Sequence, residues 1–425
     1  MRVLALGINY SPDQTGIAPF TTGRCEYLAA RGHQVRVCTG FPYYPAWRVR
    51  DADRGRLFAR EAVNGVTVLR SYAYVPRRVT AARRILHEAS FVASASLRAL
   101  IGPRPDVLFV VSPPLGLALP AVLLSRLWGI PYVFHVADLQ PDSALDLGML
   151  PPGLLARALY LVERLAYRRA ALVTTLTDAM RRRIVAKGIA EAKVVLASDW
   201  ADPALFSIPL RGGGEAFRRA FGLEDRFLVV HAGNMGVKQG LDVVLEAAAG
   251  SRRDPDVVYV LVGDGAMRAS LEGRATALGL SNVRFVPLQP RTMFLDLLAA
   301  ADVCLVTQQR TVADIVFPSK VLTLLAAGRP VVASVSPGSE VARVVREADA
   351  GLVVPPEDPG SLREAVATLR GDAAARDASG ERGRAYARRH WDRERVLSEM
   401  EARLLRLTGS PARVSTLSPE PDHVR

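Results

Sequence analysis

Cysteine is scarce in this chain. Its three thiols, Cys25, Cys38 and Cys304, are odd in number and scattered over 425 residues. They give neither a disulfide framework nor a cysteine metal site, and they point to a reducing compartment. Long apolar runs are also few. The longest, Pro113 to Phe134, is interrupted by Arg126 and Pro131, whereas a bilayer span needs about 20 mostly apolar residues. It reads as a buried helix followed by a buried strand. The opening MRVLALGINYSP has too short an apolar run for a signal peptide and reads as a first strand.

What is present is ordinary in kind and uneven in placement. The chain is 49% hydrophobic and 23% charged, as soluble globular proteins are. Its length suits two domains better than one core. The net charge is +13, and residues 1–200 carry 26 Lys and Arg against 14 Asp and Glu, a balance of +12. The remainder carries 29 against 28, a balance of +1. A basic half beside a neutral half suggests that one domain faces something anionic: nucleic acid, an acidic substrate or a membrane surface.

Short apolar runs alternate with helical patterns along the whole chain. RVLALGI, QVRVCTG, DVLFVVS, PYVFHVA and ALVTTLT read as buried strands in the first half. FLVVHAG, VVYVLVGDG, VRFVPL, DVCLVTQ and RPVVASV repeat the theme from 227 to 335. Such alternation predicts parallel sheets with helices on both faces. Because the series occurs twice, two doubly wound, Rossmann-like domains facing a central cleft are expected. The expected division is 1–200 and 201–380. A helix over about 381–407 would be free to pack back on the first domain, and 409–425 reads as a disordered tail.

Ligands of such sheets bind beyond the carboxyl ends of the strands. In HAGNMGVKQGLDVVLEA a Gly-rich turn with Gly233, Asn234, Gly236 and Lys238 separates a strand from a helix starting near Leu241. Backbone N–H groups at a helix start bind anions, and a lysine there adds a point charge. The alternative is a solvated surface lysine. In FPSKVLTLLAAGRP, Pro318 and Ser319 suit a helix start, and Lys320 lies in its first turn. A cation there opposes the helix dipole unless an anion lies between them; otherwise the lysine reaches for water. VLVGDGAMR lacks the third glycine of a dinucleotide fingerprint, so Gly263 and Gly265 read as a tight turn at the cleft.

Six segments occur in a fixed order: GNMGVKQGLDVVLEA, VLVGDGAMR, NVRFVPL, AAADVCLV, PSKVLTLLAAGRPVVAS and GLVVPPEDPGSLREAV. They resemble retaining glycosyltransferases of family 4, which have the GT-B fold. GINYSPDQTGIAPFTTGRCEYLAARGHQVRVCTGFPYYPAW and FHVADLQPDSALDLGML resemble the exopolysaccharide, colanic-acid-type branch. The resemblance covers nearly everything except the tail. It implies a nucleotide-sugar co-substrate in the second domain, contacted by Gly233, Asn234, Gly236, Gly263, Val286, Leu288, Pro318, Ser319, Lys320 and Thr323. Lys238 matches the lysine that contacts the donor pyrophosphate. Many members carry a basic residue at the position of Asn234, so Lys320 is a candidate substitute. Many also carry paired glutamates; here the later is Thr323, and the earlier falls near Ile315 with Asp314 adjacent.

The first domain is expected to supply the acceptor site. The resemblance brings the loop at Gly16 and Ile17 to the donor phosphate and acceptor. In FHVADLQPDS, His135 and Asp138 are candidate catalytic residues. Many members have histidine at the position of Ala137, and alternate strand residues share a face; a buried core histidine is the other reading of His135. Tyr10, Tyr43 and Tyr44, with Phe41 and Trp47, line either an acceptor path or the core. The D-x-D at Asp51 to Asp53 lies in a charged segment rather than after a strand, so no metal is expected. Segments 76–101 and 154–187 are basic and amphipathic. They suit an anionic membrane surface carrying a polyprenyl-diphosphate-linked saccharide, or simply a solvated face. No nucleic-acid motif accompanies the charge. The expected protein is a retaining hexosyltransferase, peripheral on the inner face of the plasma membrane, with GDP-fucose as a candidate donor. A UDP-sugar 2-epimerase of the same fold and a non-catalytic scaffold are the competing readings.

Overall fold

The computed structural model describes residues 1–409 except 14–15, 45, 79, 147–150, 152 and 312–318. The expected tail therefore lies, beyond Gly409, outside the described residues. All ten expected strands are present.

The first domain runs β1 (Arg2–Leu6), α1 (Ala18–Ala30), β2 (Gln34–Gly40), β3 (Phe58–Val63), β4 (Val66–Ser71), α2 (Ala81–Ala99), β5 (Val107–Ser112), α3 (Ala118–Trp128), β6 (Tyr132–Val136), α4 (Gln140–Asp146), α5 (Leu154–Arg169), β7 (Leu172–Thr175), α6 (Asp178–Ala186) and β8 (Val194–Leu196). Its sheet has the order β3-β4-β2-β1-β5-β6-β7-β8. The chain winds outward from β1 through β2 and β4, then returns to β5 and winds the other way. The switch between β1 and β5 is where such sheets open a crevice.

The second domain runs α7 (Glu215–Phe221), β9 (Phe227–Ala232), α8 (Asp242–Gly250), β10 (Val257–Val262), α9 (Arg268–Ala277), β11 (Val283–Val286), α10 (Arg291–Ala300), β12 (Val303–Thr307), α11 (Lys320–Ala326), β13 (Val331–Ser334), α12 (Glu340–Glu347), β14 (Gly351–Val354), α13 (Pro359–Gly371), α14 (Ala373–Trp391) and α15 (Arg393–Thr408). Its all-parallel sheet has the order β11-β10-β9-β12-β13-β14, with the switch between β9 and β12.

The sequence reading did not anticipate β3, β4, β8 or β14. β3 is antiparallel to β4, joined through Asn64 and Gly65 at φ 48° and 78°. Two consecutive positive φ values are what a tight hairpin turn of this hand requires. β3 is an edge strand with mostly exposed side chains, so its sequence carries no buried run.

Each sheet is covered on both faces. Leu4, Leu6, Val110 and Phe134 meet Phe91, Ala121 and Tyr167 on one side of the first sheet. Val3, Ala5, Val37, Phe109 and Val133 meet Leu28 of α1 on the other, together with Leu397, Met400 and Leu404. Those last three come from α15, so the end of the chain completes the core of its beginning. The single helix expected over 381–407 is two helices, α14 and α15. Asp392 breaks it with extended backbone, and its Oδ1 accepts the Arg395 N–H at 2.8 Å, an N-cap.

Candidate active site

Two loops meet back to back at the mouth of the second sheet. A Cβ on Gly263 would stand 1.9 Å from the Gly233 carbonyl oxygen, and one on Gly265 would stand 2.6 Å from both Asn234 Oδ1 and the Met235 oxygen. Only glycine permits this approach. The stacking holds the Gly233–Gly240 turn open toward the first domain. Lys238 projects from it, within a short 3₁₀ turn over Val237–Gln239. The Lys238 carbonyl is fixed by the Gln309 N–H at 2.9 Å, and α8 follows one residue beyond Leu241.

Lys238 reaches across the cleft. With Arg84, Glu88, Asp138 and Gln140 it lines a chamber of about 470 Å³ between the domains. Burial lowers its pKa, and the Asp138 carboxylate opposes that shift. Burial raises the pKa of Asp138, which the Ser143 hydroxyl, Lys238 and Arg84 pull back down. An acid and a base from different domains therefore share one chamber, each half-buried and each within range of the other's charge. Glu88 and Gln140 were not singled out from sequence; a lone glutamate between Arg84 and Arg98 on a basic helix was the available signal.

Lys320 lies deeper, behind Gly233. Its Nζ is 3.4 Å from where a Gly233 Cβ would stand. The residue is partly exposed along its length, but its Nζ is sealed from solvent with no hydrogen-bond partner among the described residues. Burial pushes its pKa down to about 8. The fully buried His231 beside it is held well below its ordinary pKa by burial and then by the Lys320 charge. An unpaired buried cation is costly unless an anion completes it. The chain has only four lysines among 55 basic residues. Two of the four, Lys238 and Lys320, stand at this one strand edge, where a compact point charge differs most from a guanidinium.

The remaining sequence candidates divide. Gly16, at φ 65°, packs against Tyr44, which is 37% exposed. Gly236 donates its N–H to Gln239 Oε1 at 3.1 Å, with the exposed Asn234 folded beside it. Ser319 precedes α11, and Thr323 lies half-buried within it. Leu288 is exposed beyond β11, whereas Val286 is a core residue whose carbonyl accepts the Gly263 N–H at 3.0 Å. Pro318, Asp314 and Ile315 lie outside the described residues.

Of the described candidates only Asp138 and Lys238 line the chamber, and three of the first domain are core residues instead. His135 is 1% exposed, hydrogen-bonded through Nδ1 to Thr174 Oγ1 at 2.9 Å and stacked on Phe109. It shares the α1 and α15 face of the sheet with Val133, while Asp138 lies past the strand end. Strand alternation, which put it beside Ala137, is what points it away. Tyr10 is also a core residue, 1% exposed, in the same cluster as Cys25 and Leu28. Tyr43 is buried against Trp47 and His87, supporting Tyr44 rather than lining the cleft. Among the described residues, no three His, Cys, Asp or Glu side chains converge on a metal-sized site. Among the same residues, no helix is long and apolar enough to cross a membrane.

Residues 15–200 match the glycosyl transferase 4-like domain, and 214–386 match glycosyl transferases group 1. The colanic acid biosynthesis glycosyl transferase WcaI of Escherichia coli K12 is 35% identical over 407 residues, 94% of this chain and 98% of that protein. The chain belongs to glycosyltransferase family 4, in its colanic-acid-type branch. The transferase is also 28% identical to the alpha-D-kanosaminyltransferase of Streptomyces kanamyceticus, over 60% of this chain and 65% of that one. HepE of Anabaena, solved with UDP, superimposes with a TM-score of 0.70 at 18% identity, covering 95% and 99% of the two chains. WaaG, a glycosyltransferase of lipopolysaccharide biosynthesis, superimposes with a TM-score of 0.66 at 21% identity over 96% and 100%. The transferase therefore has the GT-B fold.

Proposed function

We propose that the transferase moves a hexose from a nucleotide-sugar to a polyprenyl-diphosphate-linked saccharide in exopolysaccharide or O-antigen assembly. The observation that carries this reading is the pair of lysines. Lys320 has a buried ammonium without a partner among the described residues, and Lys238 is a second cation facing the first domain. A diphosphate is the ligand that satisfies both. GDP-fucose, the donor that the resemblance suggests, is the first to test.

In this mechanism the acceptor oxygen bonds to the anomeric carbon on the face from which the diphosphate departs. The departing phosphate oxygen takes the acceptor proton, so configuration is retained. Lys238 and Lys320 stabilise the charge that develops on the leaving group. The reaction needs no metal when these cations supply the compensation.

The acceptor's lipid is supported by what surrounds the chamber. Its walls away from Lys238 are Ile85, Val92, Leu115, Leu119 and Leu159. Of the eighteen exposed large apolar residues described, eleven lie on or beside α2, α3 and α5, including Leu97, Leu119, Leu123, Leu127, Leu154 and Leu161. The leucines of α3 recur every fourth residue, one helix face. Arg83, Arg84, Arg126, Arg157 and Arg164 border them. Apolar residues flanked by arginine suit an anionic leaflet on which the transferase lies without crossing it.

Calorimetric titration of GDP, UDP and ADP into the purified protein tests the donor site. Tight binding of one nucleotide is expected. Binding of none would overturn the transferase reading in favour of a scaffold, and donor turnover without acceptor would favour an epimerase.

Nucleotide affinity is also expected to depend on pH. A bound diphosphate holds the proton on Lys320, raising its pKa above about 8. Affinity is then full below that value and falls as pH rises through it, by up to about tenfold per unit. Titrations one unit either side of that value check this, and Lys320→Met is expected to flatten that part of the profile.

A further inference from the structure

The chamber is lined by apolar and polar side chains, and among the polar ones is a carboxylate with no role yet. Glu88 lies on α2, facing inward. Its Oε2 accepts a Gln140 Nε2–H at 2.7 Å, and its Oε1 faces Arg84 Nε at 3.3 Å. The orientation of Gln140 is forced. Its Oε1 accepts the Leu115 backbone N–H at 2.6 Å, so its amide N–H must point to Glu88. Glu88 is thus held in place by a fixed side chain on α4.

Asp138 stands near it, within the range of its charge. Burial pushes the pKa of both carboxyls up, and the Asp138 charge raises Glu88 further. A carboxylate accepts about four hydrogen bonds and donates none when ionised. Glu88 uses two of its positions on Gln140 and Arg84, leaving the others to the chamber.

The chemistry of the occupant follows. Arg84 is already paired with Glu88, so the donor diphosphate belongs with the lysines. What suits Glu88 is an uncharged group rich in O–H donors. Sugar hydroxyls are such donors, and Glu88 shares the chamber with both the apolar walls and Lys238.

We propose that Glu88 is an acceptor-reading residue. It accepts hydrogen bonds from hydroxyls of the acceptor's terminal sugar and, with Asp138, aims the nucleophilic hydroxyl at the donor carbon beside Lys238. This rests on the saccharide-acceptor reading above and names the residue that selects within that class.

The test uses the full chain, the nucleotide-sugar whose nucleotide it binds, and short polyprenyl diphosphates carrying one hexose or its monodeoxy analogues. Glu88→Ala is expected to lower kcat/KM for the hexose acceptor about 10- to 100-fold, chiefly through KM. Glu88→Gln, which still presents one acceptor oxygen, is expected to lose less. Nucleotide affinity by calorimetry is expected to stay at the wild-type value in both.

The deciding comparison is between acceptors. Removing the hydroxyl that Glu88 reads slows the wild type but costs Glu88→Ala nothing further, the non-additivity of a direct contact. A purely structural role would leave every deoxy penalty equal in the two proteins, and that outcome overturns the proposal. Wild-type transfer rates in Glu88→Ala overturn it too, as does loss of nucleotide binding, which would make Glu88 a support of the domain interface. Nucleotide binding without transfer to any of these acceptors, in the wild type, removes the acceptor reading and this proposal with it.

Discussion

Lys238→Ala is expected to lower kcat by about 10²- to 10³-fold, the cost of removing one preorganised charge from a leaving group. The loss falls on turnover because Lys238 projects from a glycine turn whose shape does not depend on its side chain. Gly233, Gly263 and Gly265 are fixed by backbone contacts, and Lys238 is held through its carbonyl. The protein should therefore unfold at the wild-type temperature. The variant has a second signature. Lys238 is one of the charges that lower the pKa of Asp138, so without it burial drives that carboxyl further up. Residual activity should then fall at a higher pH on the acid side than in the wild type. Steady-state rates across pH, with thermal melts as control, measure both. An unchanged kcat would remove Lys238 from the leaving-group site.

Arg24→Ala is expected to be as severe for stability as Lys238→Ala is for rate. Arg24 on α1 is 4% exposed and donates from Nη2 to Asp199 Oδ1 at 2.8 Å. Its guanidinium also lies 5.2 Å from the Trp200 ring centroid. Removing one member of a buried pair strands the other, at a cost of about 3–5 kcal/mol. Burial already raises the pKa of Asp199, and Arg24 is the charge that draws it back. Without Arg24 the folded-state pKa moves further above its unfolded value. The protonated carboxyl is tolerated, so the deficit is small in acid and grows as pH rises through the new pKa. Denaturant melts at several pH values should show this widening gap. Arg24→Met combined with Asp199→Asn should recover much of the loss, and a constant deficit at all pH values would contradict the account.

How much of this was legible in the sequence follows from where each signal resides. Buried parallel strands are continuous apolar runs, so β1, β5, β6, β9 and β10 stand out, and with them the double winding. The β3 strand, FAREAV, is a solvent-facing edge and shows no such run, although Asn64-Gly65 marks its hairpin. Lys238 and Lys320 were legible because glycine turns and helix starts are local features. Glu88 was not, because it reaches the cleft through Gln140 and Leu115, contacts spanning 52 and 25 residues. His135 shows the limit of proximity along a chain. It is three residues from Asp138, yet pleating sends it to the other face of the sheet, against α15. No pattern within 131–138 says what covers that face.

The return of α15 has a consequence for how the protein is made. The face of the first sheet bearing Val3, Ala5 and Phe109 is completed by Leu397, Met400 and Leu404. During synthesis the first domain emerges roughly 190 residues before that helix. At about 5–20 residues per second, the gap lasts on the order of 10–40 s. For that interval a nearly finished domain carries an open apolar strip along its sheet. The second domain must fold while the first still waits for its last element. The nascent chain stays open along this strip until α15 arrives as the latch that closes it.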